Sequence, residues 1–257
     1  MLLVFKIFIA GALVVLVILI AFRISHKKPV FTLPENYKGM LWDYIAFYRE
    51  LNEAAMEAFE KRVEHFLSAH KITGINAEVE DLDRMLIAAA AIIPVFRIPD
   101  WQYINLHEML LYPGTFNADF EQGGSERNLI GMVGTGALQH VMVLSKWQLR
   151  QGFINAHDAR NTAIHEFVHL IDKMDGTMDG VPEIILERTY TSMWKQLMET
   201  TIDQMKTHGS DIDPYGATNT TEFFAVVSEY FFKQPQLLQD NHPDLFEMLE
   251  RIYKTRQ

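Results

Sequence analysis

Thr162-Ala-Ile-His165-Glu166-Phe-Val-His169-Leu-Ile-Asp172-Lys-Met-Asp175-Gly176 is the stretch on which the reading of this chain turns. In a helix, His165 and His169 stand one turn apart and project from one face. Two imidazoles so placed can each give one nitrogen to a single Zn²⁺. Glu166 falls on the edge of that face, beside the metal position. There it can take the proton of a zinc-bound water as the water attacks a carbonyl. Ala163, Ile164, Phe167, Val168, Leu170 and Ile171 wrap these groups in a nearly continuous apolar sleeve, which predicts a buried helix. Two surface histidines and a solvated glutamate could share the spacing, but the sleeve leaves no wide polar face for them. Buried, the three groups are costly unless something satisfies them. A second stretch, His107-Glu108-Met-Leu-Leu, lacks the second histidine and is set aside.

A catalytic zinc needs a third protein donor and an open position for water. Six residues after His169 stands Asp175, and midway stands Asp172 where a turn-permitting glycine would be wanted for a third histidine. Asp175 remains available as a carboxylate ligand. Glu222, on a separate apolar helix, is the better candidate, and Glu229 lies two turns further along the same face. A carboxylate there can hold a ligand histidine through its other ring nitrogen, and Asp172 is a second candidate for such a supporting place. Asn219-x-x-Glu222 is also a capping box, in which Glu222 would only satisfy the helix amino terminus.

Outward from this centre, Asn155 and Asp158 suit the N-cap and N3 positions of the metal helix, and Gly176 suits its end. Pro182 opens a long helix to about Thr207, stopped by Gly209; a second runs from about Thr220 to Phe232, and Pro243 starts a terminal one ending near Tyr253. Upstream, Leu41 to His70 reads as one or two helices and Leu82 to Ile93 as an alanine-rich one stopped by Pro94. Between Val95 and Leu149 short β-branched and aromatic runs alternate with turn residues. Strands are expected around Glu108–Tyr112, Leu129–Val133 and Gln139–Leu144. The last would precede the metal helix and is either an edge along which an extended peptide pairs or an ordinary sheet strand. The glycines Gly131, Gly134 and Gly136 are turn-like, and no helix follows them as a nucleotide loop requires.

The amino terminus has a different character. Leu2 to Phe22 carries one charge, Lys6, and as a helix would span ~31 Å, enough for a bilayer core. The alternative of a cleaved signal is disfavoured by a weak leading charge and the lack of a small-x-small site. Arg23, Lys27 and Lys28 follow the run, so the positive-inside rule places the remainder in the cytoplasm. The expectation is thus a single-pass inner-membrane anchor with its basic flank over residues 1–28, and one catalytic domain over 29–257. The chain has no cysteine, which excludes a disulfide scaffold and a thiolate metal site. A net charge of −10 argues against nucleic acid as a partner.

Several motifs in order resemble one family. They are Arg97-Ile-Pro-Asp100-Trp, Leu111-Tyr-Pro-Gly-Thr-Phe116, His165-Glu-Phe-Val-His169-Leu-Ile-Asp172, Asp179-Gly-Val-Pro182 and Tyr215-Gly-x-Thr-Asn-x-x-Glu222-Phe-Phe-Ala-Val. Together they resemble the Mlc titration factor A family of zinc metallopeptidases from about residue 60 to 245, and the Tyr215–Ala225 stretch is similar to the catalytic domain of anthrax lethal factor. The resemblance implies a gluzincin site, with His165, His169 and Glu222 on one Zn²⁺, Glu166 as base and Tyr215 as an electrophilic helper. It also implies peptide or protein substrates and, since the family's namesake binds a glucose-responsive transcriptional repressor, a regulator as possible partner. The fold expected is a mostly helical α+β, zincin-like domain with a small sheet beside the metal helix and one amino-terminal transmembrane helix. The competing function class is a regulatory binding module whose zinc site is structural or weakly active.

Overall fold

The computed structural model describes residues 31–115, 131–134, 139–155 and 158–253. The chain divides into two compact units, Met1–Phe31 and Thr32–Gln257, and every element below belongs to the second. It is a mostly helical α+β arrangement. Three helices come first, α1 (Tyr37–Tyr44), α2 (Ala46–Arg49) and α3 (Glu53–Ala69). The stretch expected as one or two helices is cut twice, at Ile45 and at Asn52. The Asn52 side chain accepts the Ala55 N–H at 3.0 Å and so starts α3 afresh.

Strand β1 (Lys71–Gly74) leads to α4 (Asp81–Ile92), then to β2 (Glu108–Tyr112), β3 (Gly131–Val133) and β4 (Val141–Ser145). The sheet order is β1-β2-β4-β3, with β1, β2 and β4 parallel and β3 antiparallel to β4. Glu108 is opposite both Lys71 and Val141, and Gly131 is opposite Leu144. Met142, Val143 and Leu144 are fully buried or nearly so, as an unbroken apolar run in an interior strand should be. Of the two readings of this last strand, an edge or an ordinary sheet strand, the second holds. β4 lies between β2 and β3, β3 is the edge among the described residues, and a further helix separates β4 from the metal helix.

That helix is α5 (Lys146–Ile154), N-capped by Ser145; after it come α6 (Thr162–Asp172), α7 (Thr191–His208), α8 (Thr220–Lys233), α9 (Pro235–Asn241) and α10 (Pro243–Tyr253). α6 packs chiefly on α8 and also meets α4, α5, β3 and β4. Four consecutive alanines, Ala88 to Ala91, are buried in α4, where small side chains let α6 come close. On another side of α6, Phe167 meets the rings of Phe66 at 5.7 Å and Tyr103 at 5.2 Å. Burying such a ring contributes ~1.5–3 kcal/mol and fixes the rotation of α6 about its axis. The carboxylate of Asp83, at the start of α4, pairs with Arg150 at 2.8 Å and Lys146 at 3.2 Å and ties α4 to α5.

Two boundaries differ from those expected. Asn161, not Asn155 or Asp158, caps α6, its side chain accepting the Ile164 N–H at 3.1 Å. Asn155 instead ends α5. The helix expected from Pro182 begins only at Thr191, because the backbone of Ile185 and Leu186 turns back on the Pro182 carbonyl.

The single-pass membrane anchor and the inner-membrane location are overturned. No helix among the described residues is long and apolar enough to cross a membrane. The longest, α3 and α7 with 17 and 18 residues, carry charges along their length where a span needs about 20 predominantly apolar residues. The stretch Leu2 to Phe22, on which the anchor was placed, lies outside the described residues.

Candidate metal centre

The metal helix is buried throughout, including its polar residues. His165, Glu166 and His169 are all less than a tenth exposed, and Asp172 is fully buried. Against their face lies the first turn of α8. The Nε2 atoms of His165 and His169 are 3.0 Å apart, and Glu222 Oε2 is 3.0 Å from the first and 3.5 Å from the second. His165, His169 and Glu222 form a group able to hold one metal ion. Three donors on a tetrahedral ion with bonds of about 2.0–2.1 Å stand roughly 3.3 Å from one another, which is the spacing found.

The proton arrangement also suits a cation. His165 Nδ1 lies 2.6 Å from Glu229 Oε1, and a hydrogen bond there puts the ring proton on Nδ1. The Nε2 lone pair is then left facing the Glu222 carboxylate and the second imidazole, a repulsive arrangement unless a positive charge lies among them. The same environment acts on the free groups. Burial pushes the imidazole of His165 down, but Glu229 and Glu222 outweigh it and hold its pKa well above the ordinary value. Burial raises Glu222, and the hydrogen bonds from His165 and His169 reverse this and bring it to about 2.

Glu229 does a second job. Its Oε2 accepts the backbone N–H of Asn161, the N-cap of α6. One carboxylate from α8 thus fixes both the start of the metal helix and the ring of His165. Asn161 escaped the sequence reading because Asn155 and Asp158 offered the same side-chain chemistry. Its place four residues before His165 is the signal that could have found it.

Glu222 sits at the third position of α8, and the Asn219 side chain accepts its backbone N–H at 2.9 Å. The cap is therefore present, while the Glu222 carboxylate turns to the histidines. Asp175 is engaged elsewhere. Its oxygens accept Thr177 N–H and Oγ1–H at 2.9 and 2.8 Å and Glu183 N–H at 3.1 Å. Asp172 accepts the Gly180 N–H at 2.8 Å, and burial pushes its pKa up to about 7 against that bond. Its other oxygen and His169 Nδ1 are buried without a hydrogen-bond partner among the described residues.

Glu166 lies against Gly131 of β3, and burial raises its pKa. Tyr215 lies in a short 3-10 turn, Pro214–Ala217, begun by Asp213, whose side chain accepts the Tyr215 N–H. Its ring is half-exposed and its centroid is 6.1 Å from that of His165, so it stands beside that histidine. Burial, Glu222 and Glu166 raise its pKa, so the hydroxyl keeps its proton and remains a donor.

The family model of the glucose-regulated metallo-peptidase M90 family matches residues 23–254. The chain belongs to that family. Among its relatives are Mlc titration factor A of Pectobacterium atrosepticum, 32% identical over 68% of this chain and 69% of that protein, and Mlc titration factor A of Escherichia fergusonii, 31% identical over 74% and 75%. An uncharacterized protein of Synechocystis sp., slr2042, is 30% identical over 86% of this chain and 84% of its own length. The M90 match implies a metal, and the His165–His169–Glu222 cluster is where the described residues can hold one.

Proposed function

We propose that this M90 chain is a zinc-dependent peptidase in which His165, His169 and Glu222 hold one Zn²⁺. The observation that carries the reading is the convergence of three donors beside a buried carboxylate, Glu166, that makes no part of the donor set. A purely structural site would be closed by a fourth protein donor. When bound, the ion supplies Lewis-acid polarisation of a carbonyl and makes a water acidic enough to attack at neutral pH. Glu166 takes the proton of the attacking water and passes it to the leaving amine. Glu229 keeps the imidazole of His165 oriented through its Nδ1. The edge strand β3 runs past this helix, where an extended peptide can add to the sheet beside the base.

Tyr215 has a distinct role, acting on the transition state. As water adds to the peptide carbonyl, the oxygen becomes an anion, and a phenol hydrogen bond aimed at it strengthens only then. Tyr215→Phe keeps the ring beside His165 and removes the hydroxyl. Zinc content and melting temperature should stay unchanged, KM should change little, and kcat should fall by roughly 10–1,000-fold, about 1.4–4 kcal/mol. Full activity of the folded, zinc-loaded variant would take Tyr215 out of the mechanism.

The name Mlc titration factor A borne by two of the relatives favours a second reading, a module that binds a regulator protein through the same domain. The test of the first reading is incubation of zinc-loaded protein with a peptide library. Cleavage that a chelator abolishes and zinc restores is expected. No cleavage at stoichiometric zinc would leave the binding module.

A further inference from the structure

We infer that Gly131, the first residue of β3, is a positioning residue that sets the place of the Glu166 carboxylate. The inference rests on the peptidase reading above. A Cβ built on Gly131 would lie 2.6 Å from Glu166 Oε1, 2.9 Å from Glu166 Cγ and 2.7 Å from Thr162 Cγ2. All three are closer than real Cβ atoms come, so the backbone of β3 is pressed onto the base itself. The glycine is not there for its backbone freedom. The described glycines with positive φ are Gly176, Gly180 and Gly209, and Gly131 is not among them. What the position requires is the missing side chain.

The strand cannot simply retreat. Gly131 is opposite Leu144 in the antiparallel ladder to β4, and β4 is held on its other side by β2. Thr162 and Glu166 are four residues apart and form one ridge of α6; His165 and His169 form the next. The two ridges are held by different elements. α8 fixes the donor ridge, through Glu222 and Glu229, and β3 fixes the base ridge, through the space left at Gly131. A methyl group at position 131 should therefore shift the base while leaving the donors in place. A misplacement of about 1 Å at a reacting group can cost ~100-fold in rate.

The test is Gly131→Ala in the full zinc-loaded chain. Zinc content should equal wild type and KM should stay within about threefold, while kcat falls roughly 10–100-fold. In a Glu166→Asp background the Oε1 contact is gone while those at Cγ and Thr162 Cγ2 remain, so the same substitution should cost clearly less than in the wild-type background. A kcat within threefold of wild type, or the same loss in both backgrounds, would overturn the inference. A wild-type protein that cleaves nothing would sink the peptidase reading alone, and melting temperature then decides. Gly131→Ala should lower it, and Glu166→Ala with Thr162→Ser should recover most of that loss by removing the groups a Cβ would meet. Equal loss with and without that pair would show that Gly131 does not bear on Glu166; the same comparison serves if the single variant folds poorly.

Discussion

Glu166→Gln should hold its metal and lose its turnover, with kcat lower by roughly 10²–10⁴-fold, about 2.7–5.5 kcal/mol of transition-state stabilisation. The side chain makes no part of the His165–His169–Glu222 donor set, so zinc stoichiometry and affinity should match wild type. An amide of nearly the same size fills the space beneath Gly131 but cannot accept the proton of an attacking water. Folding should not suffer, because Glu166 is 5% exposed and an uncharged amide ends the cost of burying a carboxylate there. The informative measurement is zinc content, melting temperature and peptide hydrolysis on one preparation. Turnover comparable to wild type in a zinc-loaded Glu166→Gln protein would refute the base and favour the regulator-binding reading, in which Glu166 has no chemical task.

The metal helix was legible because its geometry is local. His165, Glu166 and His169 fall within five residues, and helical periodicity alone puts two of them on one face inside an apolar sleeve. What the sequence left open was decided over distance. Spacing allowed Glu222 as donor or as cap, and in the structure the Asn219 side chain caps the helix while the Glu222 carboxylate faces the histidines. Which asparagine starts α6 depends on Glu229, 68 residues later, accepting the N–H of Asn161. The edge of the sheet was left open for a similar reason. Strand order is a property of which segments meet, and the run Val141 to Leu144 looks the same on either side of a neighbour. Strand β1 escaped notice altogether because its four residues have little pattern of their own and are held by pairing with β2. The membrane anchor was argued from composition near the amino terminus, and the described helices give it no support.

Removing the Glu222 carboxylate should separate metal binding from helix capping. Glu222→Ala takes one of three donors from the site and leaves His165 and His169, a pair that seldom holds zinc alone. The affinity loss should exceed the roughly 10–100-fold typical of losing a supporting carboxylate. Asp175→Ala removes the other carboxylate that spacing had allowed. Its oxygens already hold Thr177 and Glu183, so the expected cost is a looser loop after the metal helix, ~1–3 kcal/mol of stability, with zinc affinity nearly unchanged. Asn219→Ala completes the comparison, because Asn219 is what caps the start of α8. It should cost about 1 kcal/mol of stability and little affinity. If Glu222 were only part of the cap, Glu222→Ala and Asn219→Ala would behave alike in zinc titrations. If Asp175 were the donor, the order of the two carboxylate variants would reverse. A severe loss confined to Glu222→Ala is the result that the 3.0 and 3.5 Å approaches of its carboxylate to the two imidazoles require.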